Sequence, residues 1–146
     1  MDKIQNIKQM DEFRCELLSL YRRQAAQVVL MESDIMAKKM SEAWFKKNGF
    51  SAPNVFEPGK DVLEFLVNEE GPLIVWYEIR VKDPFFEPFM KIITTLRVKK
   101  KIDLVFCGRA DDRLGLARVI KKKESKILVR PLESKTFEKK MAEFFL

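Results

Sequence analysis

The 146-residue sequence contains no histidine at all. That one absence excludes Ser-His and Cys-His nucleophilic systems, His-ligated zinc and histidine acid–base chemistry, and leaves any catalysis to carboxylates, lysines or tyrosines. Cysteine is nearly absent too. Cys15 and Cys107 are far apart and lack CxxC spacing, so neither a zinc site nor a disulfide framework is expected, and both read as small buried apolar residues. No apolar run approaches the roughly 18 residues of a membrane span, and the opening MDKIQNIKQMDE is too charged for a signal peptide. The expectation is a cytoplasmic protein with no membrane partner. No internal repeat and no low-complexity linker is visible, and from Met1 to Asn48 there is neither glycine nor proline.

What the chain does have is enough apolar content, 47%, to build one domain around its own core. Its 28 basic residues against 22 acidic ones give a net charge of +6. With a pI near 9.3, an anionic partner is favoured, nucleic acid foremost.

In the Gly- and Pro-free segment, Ile4, Ile7, Met10, Phe13, Leu17, Leu20, Tyr21, Val28, Ile35, Met36 and Trp44 fall mostly at helical spacings. The segment is too long for one ordinary helix, so it reads as two helices broken near Met31 to Asp34, or as an extended arm, with Ser33 or Ser41 as N-cap. Two roles stay open for it: a dimerisation helix, or a helix folded back on its own core. Gly49 ends the helical run, and Ser51 to Lys60 reads as loop. Asp61 to Val67 and Pro72 to Lys82 read as two strands of an antiparallel hairpin. A helix follows from about Phe85 to about Lys101, and the apolar Asp103 to Cys107 reads as an interior strand. Leu114 to Ile120 and Lys126 to Arg130 read as shorter strands, stopped by Pro131. An amphipathic helix from Ser134 to Leu146 closes the chain with Phe137, Met141, Phe144 and Phe145. The expected fold class is α/β, a central mixed sheet flanked by helices, with a long helical N-terminal segment. The expected organisation is a single domain, with residues 1–32 as a helical extension and 33–146 as the core.

The most strand-like run, PLIVWYEIRVK, carries chemistry. With period-two alternation Glu78, Arg80 and Lys82 share one face with Ile74 and Trp76, while Leu73, Val75, Tyr77, Ile79 and Val81 take the other. An acid and two bases thus project side by side, either as a site or as a surface ion pair worth ~1 kcal/mol or less.

Taken with what precedes it, this run has a recognisable order. A helix bearing Glu42 is followed by Gly49-Phe50, then a loop ending in Asp61, then Glu78-Ile79-Arg80. From about Ser41 to Gly108 the sequence resembles the restriction-endonuclease-like, PD-(D/E)XK nuclease superfamily, and most of all the archaeal Holliday-junction resolvases. The resemblance implies a restriction-endonuclease-like core hydrolysing DNA phosphodiester bonds. In that arrangement Asp61 and Glu78 hold Mg2+ or Mn2+, Glu42 is an auxiliary ligand, and Arg80 or Lys82 assists at the phosphate. Two departures stand out. Lys60-Asp61 replaces Pro-Asp, and Arg80 replaces the lysine. A guanidinium stays protonated and cannot act as a base, though it can still stabilise phosphate charge. Arg80 therefore marks either a modified mechanism or a catalytically inactive relative that binds nucleic acid or serves as a dimeric interaction subunit.

Two basic clusters are candidate phosphate contacts: Arg97, Lys99, Lys100 and Lys101 after the central helix, and Lys121, Lys122, Lys123 and Lys126 in a later turn. The plainer readings are cations favoured at a helix C-terminus and a solvated turn. A homodimer through the N-terminal helices is the second expected partnership.

Overall fold

The computed structural model describes residues 3–146; the helical expectation for Met1 and Asp2 lies outside them. Helix α1 (Lys3–Ala25) leads into β1 (Gln27–Met31), followed by α2 (Ile35–Lys47), β2 (Asn54–Val55), α3 (Lys60–Asn68) and β3 (Leu73–Glu78). Then come α4 (Phe86–Leu96), β4 (Ile102–Arg109), α5 (Arg113–Lys121), β5 (Ile127–Arg130) and α6 (Ser134–Phe145). The α/β class with helices around a central sheet is as expected. The sheet itself is parallel throughout rather than mixed, in the order β2-β1-β3-β4-β5.

Parallel pairing explains why three segments depart from their expected states. Adjacent parallel strands need a long crossover, normally a helix, and cannot be joined by a tight turn. Hence Asp61 to Val67 is the helix α3, not the first strand of a hairpin, with Val62 and Leu66 buried one turn apart. Leu114 to Ile120 is likewise helix α5, started by Asp112, whose carboxylate accepts from the Gly115 N–H at 3.0 Å. The third departure is QVVLM at 27–31. Val28, Val29, Leu30 and Met31 are buried on both faces, and a continuous apolar run of that length suits an interior parallel strand better than one side of a helix.

Strand β1 lies between β2 and β3, with Val29 opposite Val75 and Leu30 opposite Trp76. A boundary at residue 32 would therefore remove a central strand, whose side chains contribute roughly 1.5–3 kcal/mol each by burial. The extension proper is α1 alone.

The alternation expected for β3 holds from Leu73 to Ile79 and is used twice, whereas Val81, expected on the apolar face, lies beyond the strand and is exposed. Val75, Tyr77 and Ile79 join the core under α3, α4 and α5, alongside Val62, Phe89 and Ile93. Ile74 and Trp76 join the opposite core under α2 and α6, with Trp44, Phe45, Phe137 and Met141. Both layers are dry, so the strand ends are the places where charge is held.

Candidate functional site

Because the strands are parallel, their carboxyl ends open on one edge, and four of them deliver polar side chains there. Glu32 and Ser33 follow β1, Glu78 ends β3, Cys107 lies near the end of β4, and Arg130 ends β5. Arg130 is the hub. One end of its guanidinium pairs with Glu32, the other reaches Glu78 Oε1 at 3.4 Å, and its Nε donates to Cys107 Sγ at 3.4 Å. Ser33 clamps Glu78 from above, its N–H donating to Oε2 at 2.9 Å and its hydroxyl to Oε1 at 2.8 Å. Trp76 Nε1 donates to Glu32 Oε1 at 3.3 Å, and the Asp34 N–H donates to Glu32 Oε2 at 3.2 Å. Asp34 in turn caps α2 by accepting from the Ala37 N–H at 2.9 Å, which fixes the turn carrying Ser33.

Side-chain exposure is 0% for Glu32, 10% for Glu78 and 16% for Arg130, so this is a buried ionic knot and not a surface pair. Burial dominates at Glu32 and pushes its carboxyl above the ordinary value, although Arg130 pulls the other way. At Glu78 burial also opposes ionisation, but the two Ser33 donors together with Arg130 and Arg80 outweigh it and hold the carboxyl below 4.5. Burial raises the Cys107 thiol to about 12, so it stays protonated and inert at neutral pH.

Beside the knot is a cleft of about 640 Å³ between the β1–α2 turn and the loop after β2, lined by Glu32, Ser33, Lys38, Glu57, Glu78 and Arg80. Arg80 lies beyond the end of β3, with Nη2 3.4 Å from Glu78 Oε2, and so shares the cleft as expected. The other residues expected there are elsewhere. Asp61 is exposed in the first turn of α3, Glu42 is half-buried along α2, and Lys82 is exposed in the bend after β3. None of the three lines the cleft. The donors expected for Mg2+ or Mn2+ are thus not gathered in it, and among the described residues no group of three or more carboxylates or thiols is set to hold a metal ion.

The expected phosphate contacts divide in two. Arg97 pairs with Glu124 at 2.5 Å, Lys122 with Glu87 at 3.0 Å and Lys126 with Asp103 at 2.9 Å, while Lys100 caps α3 by donating to the Leu66 carbonyl at 2.6 Å. Lys99, Lys101, Lys121 and Lys123 are exposed apart from such pairs. The residues missed by sequence reasoning are Glu32, Ser33 and Arg130. Their signal was present as an apolar run ending in Glu-Ser-Asp and a strand ending in Arg-Pro, but it becomes visible only once both runs are known to be neighbours of β3 and β4 in one parallel sheet.

The strand order 2-1-3-4-5 defines the flavodoxin-like class of doubly wound α/β folds, in which ligands bind outside the carboxyl ends of the strands where the order reverses. Here the reversal lies between β1 and β3, where Glu32 and Glu78 stand. Two solved structures share the arrangement. One is the pilus assembly protein CpaE from Caulobacter crescentus CB15, at 13% identity and a TM-score of 0.54, over 84% of this chain and 94% of that one. The other is a CpaE2 pilus assembly protein from Sinorhizobium meliloti 1021, at 18% identity and a TM-score of 0.53, over 82% and 99%. At these identities the likeness establishes a shared fold. No protein-family model matches the sequence, and no curated protein matches it.

Proposed function

We propose that this chain is a non-catalytic interaction module, an assembly component that pairs with a second copy through α1. The observation that carries the reading is the unpartnered apolar surface of that helix. Residues 6–18 are exposed throughout, including Ile7, Met10 and Phe13 at 59%, 58% and 61%, and Tyr21 follows at 70%. Only the end of α1 turns to the domain, where Arg23 donates to the Asn48 carbonyl at 3.2 Å and lies over the Phe50 ring. Seven-residue spacing from Met10 to Leu17 and from Phe13 to Leu20 gives the helix an apolar seam.

The carboxyl edge supports the same reading from the other side. Its strongest acids are taken up by Arg130, Arg80 and Ser33, and a carboxylate so engaged is poorly placed to serve as a metal ligand or base. The structurally similar proteins are named for pilus assembly. Hydrolysis of DNA with Mg2+ or Mn2+, implied by the resemblance, would have, of its four expected site residues Asp61, Glu78, Arg80 and Lys82, Glu78 and Arg80 in the cleft. DNA as a partner would be held elsewhere, at the opposite edge of the sheet.

Sedimentation equilibrium tests the pairing. The full chain is expected to run as a dimer, and the Phe13→Glu/Leu17→Glu variant as a folded monomer. A monomeric parent chain overturns it, and cleavage of supercoiled DNA with Mg2+ or Mn2+ that disappears in Glu78→Gln overturns the non-catalytic reading.

A further inference from the structure

In a doubly wound fold the helices run against the strands, so each helix preceding a strand ends on the amino edge of the sheet. Four of these five ends are basic, and the fifth, that of α3, is followed by Glu69 and Glu70. Helix α1 finishes with Arg22 and Arg23 and α2 with Lys46 and Lys47, while α4 is followed by Lys99 and Lys101, and Lys121 and Lys123 close α5. Part of this set meets directly: the Leu73 N–H donates to the Lys101 carbonyl at 3.0 Å, and one groove of about 630 Å³ is lined by Arg22, Arg23, Lys101 and Lys126. Asp103 and Glu124 on this edge are paired with Lys126 and Arg97, while Glu69 and Glu70, which follow α3 there, form no ion pair within the described residues. Arg22, Lys46, Lys47, Lys99, Lys101, Lys121 and Lys123 form no ion pair within the described residues.

We infer that this amino edge is a docking surface for the phosphate backbone of a nucleic acid, read without base contacts. Helix C-termini alone do not account for so many cations. Six helix ends at about −0.5 each, that of α6 included, and the Glu69 and Glu70 carboxylates sum to roughly −5, which the seven free cations still exceed. Five strands at about 4.8 Å spacing make an edge roughly 20 Å across, and duplex DNA presents one charge per ~1.7 Å along its axis, so several phosphates face the edge at once. An anionic membrane is the poorer fit. Val67, Val98 and Ile120 are exposed singly on three segments and do not form the continuous apolar face that interfacial binding uses.

Fluorescence anisotropy of the full chain with a labelled duplex of about 20 base pairs tests the inference. Four phosphate contacts at a slope of ~0.9 each predict affinity falling about 100-fold between roughly 50 and 200 mM salt. The Lys99→Ala/Lys101→Ala/Lys121→Ala/Lys123→Ala variant is expected to lose most of that slope and to bind at least tenfold more weakly at low salt. Lys82→Ala/Arg113→Ala, on the opposite edge, is expected to bind as the parent does. Binding absent at low salt, binding indifferent to salt, binding unchanged in the fourfold variant, or selective capture by phosphatidylserine vesicles instead of the duplex would each overturn it. The slope per chain does not depend on α1 pairing, so Phe13→Glu/Leu17→Glu separates failure of this inference from failure of the dimer.

Discussion

The two edges of the sheet carry charge in opposite ways. At the carboxyl edge Glu32, Glu78 and Arg130 are nearly withdrawn from water and, together with Arg80, neutralise one another, whereas at the amino edge the lysines after α4 and α5 lie in solvent, several of them unpaired. The difference shows which charges belong to folding and which are available to a partner. Buried charges must be matched within the chain, because an unmatched one costs several kcal/mol; exposed ones cost little and need no internal partner.

The comparison is most exposed to failure at Arg130. Removing its side chain in Arg130→Ala leaves Glu32 fully buried with its cation gone, and the expected loss is about 3–5 kcal/mol in urea denaturation, largely recovered by adding Glu32→Leu. A loss below about 1 kcal/mol would mean the knot is wet and the two edges are alike. The next largest effect is expected at Gly115, just inside α5. A Cβ there would lie 2.3 Å from Asp112 Oδ2 and 2.6 Å from Ile79 Cγ2. In an open helix glycine to alanine is favourable by ~1 kcal/mol, but here the contact should reverse the sign to a destabilisation of about 1–3 kcal/mol. A raised midpoint for Gly115→Ala would show that this edge packs more loosely than the contacts imply.

Acid titration sharpens the contrast further. The Glu78 carboxyl is held below its ordinary 4.5 when folded, so its contribution is fully present above that value and is lost as pH falls through the folded-state value. Glu32 works in the opposite sense, since burial raises its carboxyl and favours the protonated form on folding. Glu78→Gln should therefore lose less stability than the parent between neutral pH and the region below 4.5, a difference readable by thermal melts. The smallest expected effect is at the amino edge. Lys101→Ala and Lys123→Ala should each change stability by no more than about 0.5 kcal/mol, and a larger loss would mean these lysines are structural after all.

Much of the architecture could be read from residue spacing alone. The alternation in LIVWYE, the interior run DLVFC and the amphipathic closing helix are local patterns, and each forms as expected. The failures share a cause. DVLEFLV has apolar residues compatible with either period, and its state is decided by the parallel pairing of strands on both sides of it, a relation between distant segments. QVVLM looked helical because it sits inside a stretch without Gly or Pro, yet its burial on two faces is a property of the sheet. The same non-locality hid the site. Glu78 and Arg80 were found because they are two residues apart, whereas Arg130 reaches Glu32 across 98 positions.

The bond from Trp76 to Glu32 gives the knot an optical readout. The sequence has two tryptophans, and the other, Trp44, lies among Phe45, Phe50 and Phe145 on the layer covered by α2 and α6. In a Trp44→Phe background the remaining indole emits from a dry setting with its N–H held by a carboxylate, so its colour reports whether Glu32 is still gripped by Arg130. A ligand entering the adjoining cleft, a change of pH or a partner bound at a distant edge would register there without any label being attached.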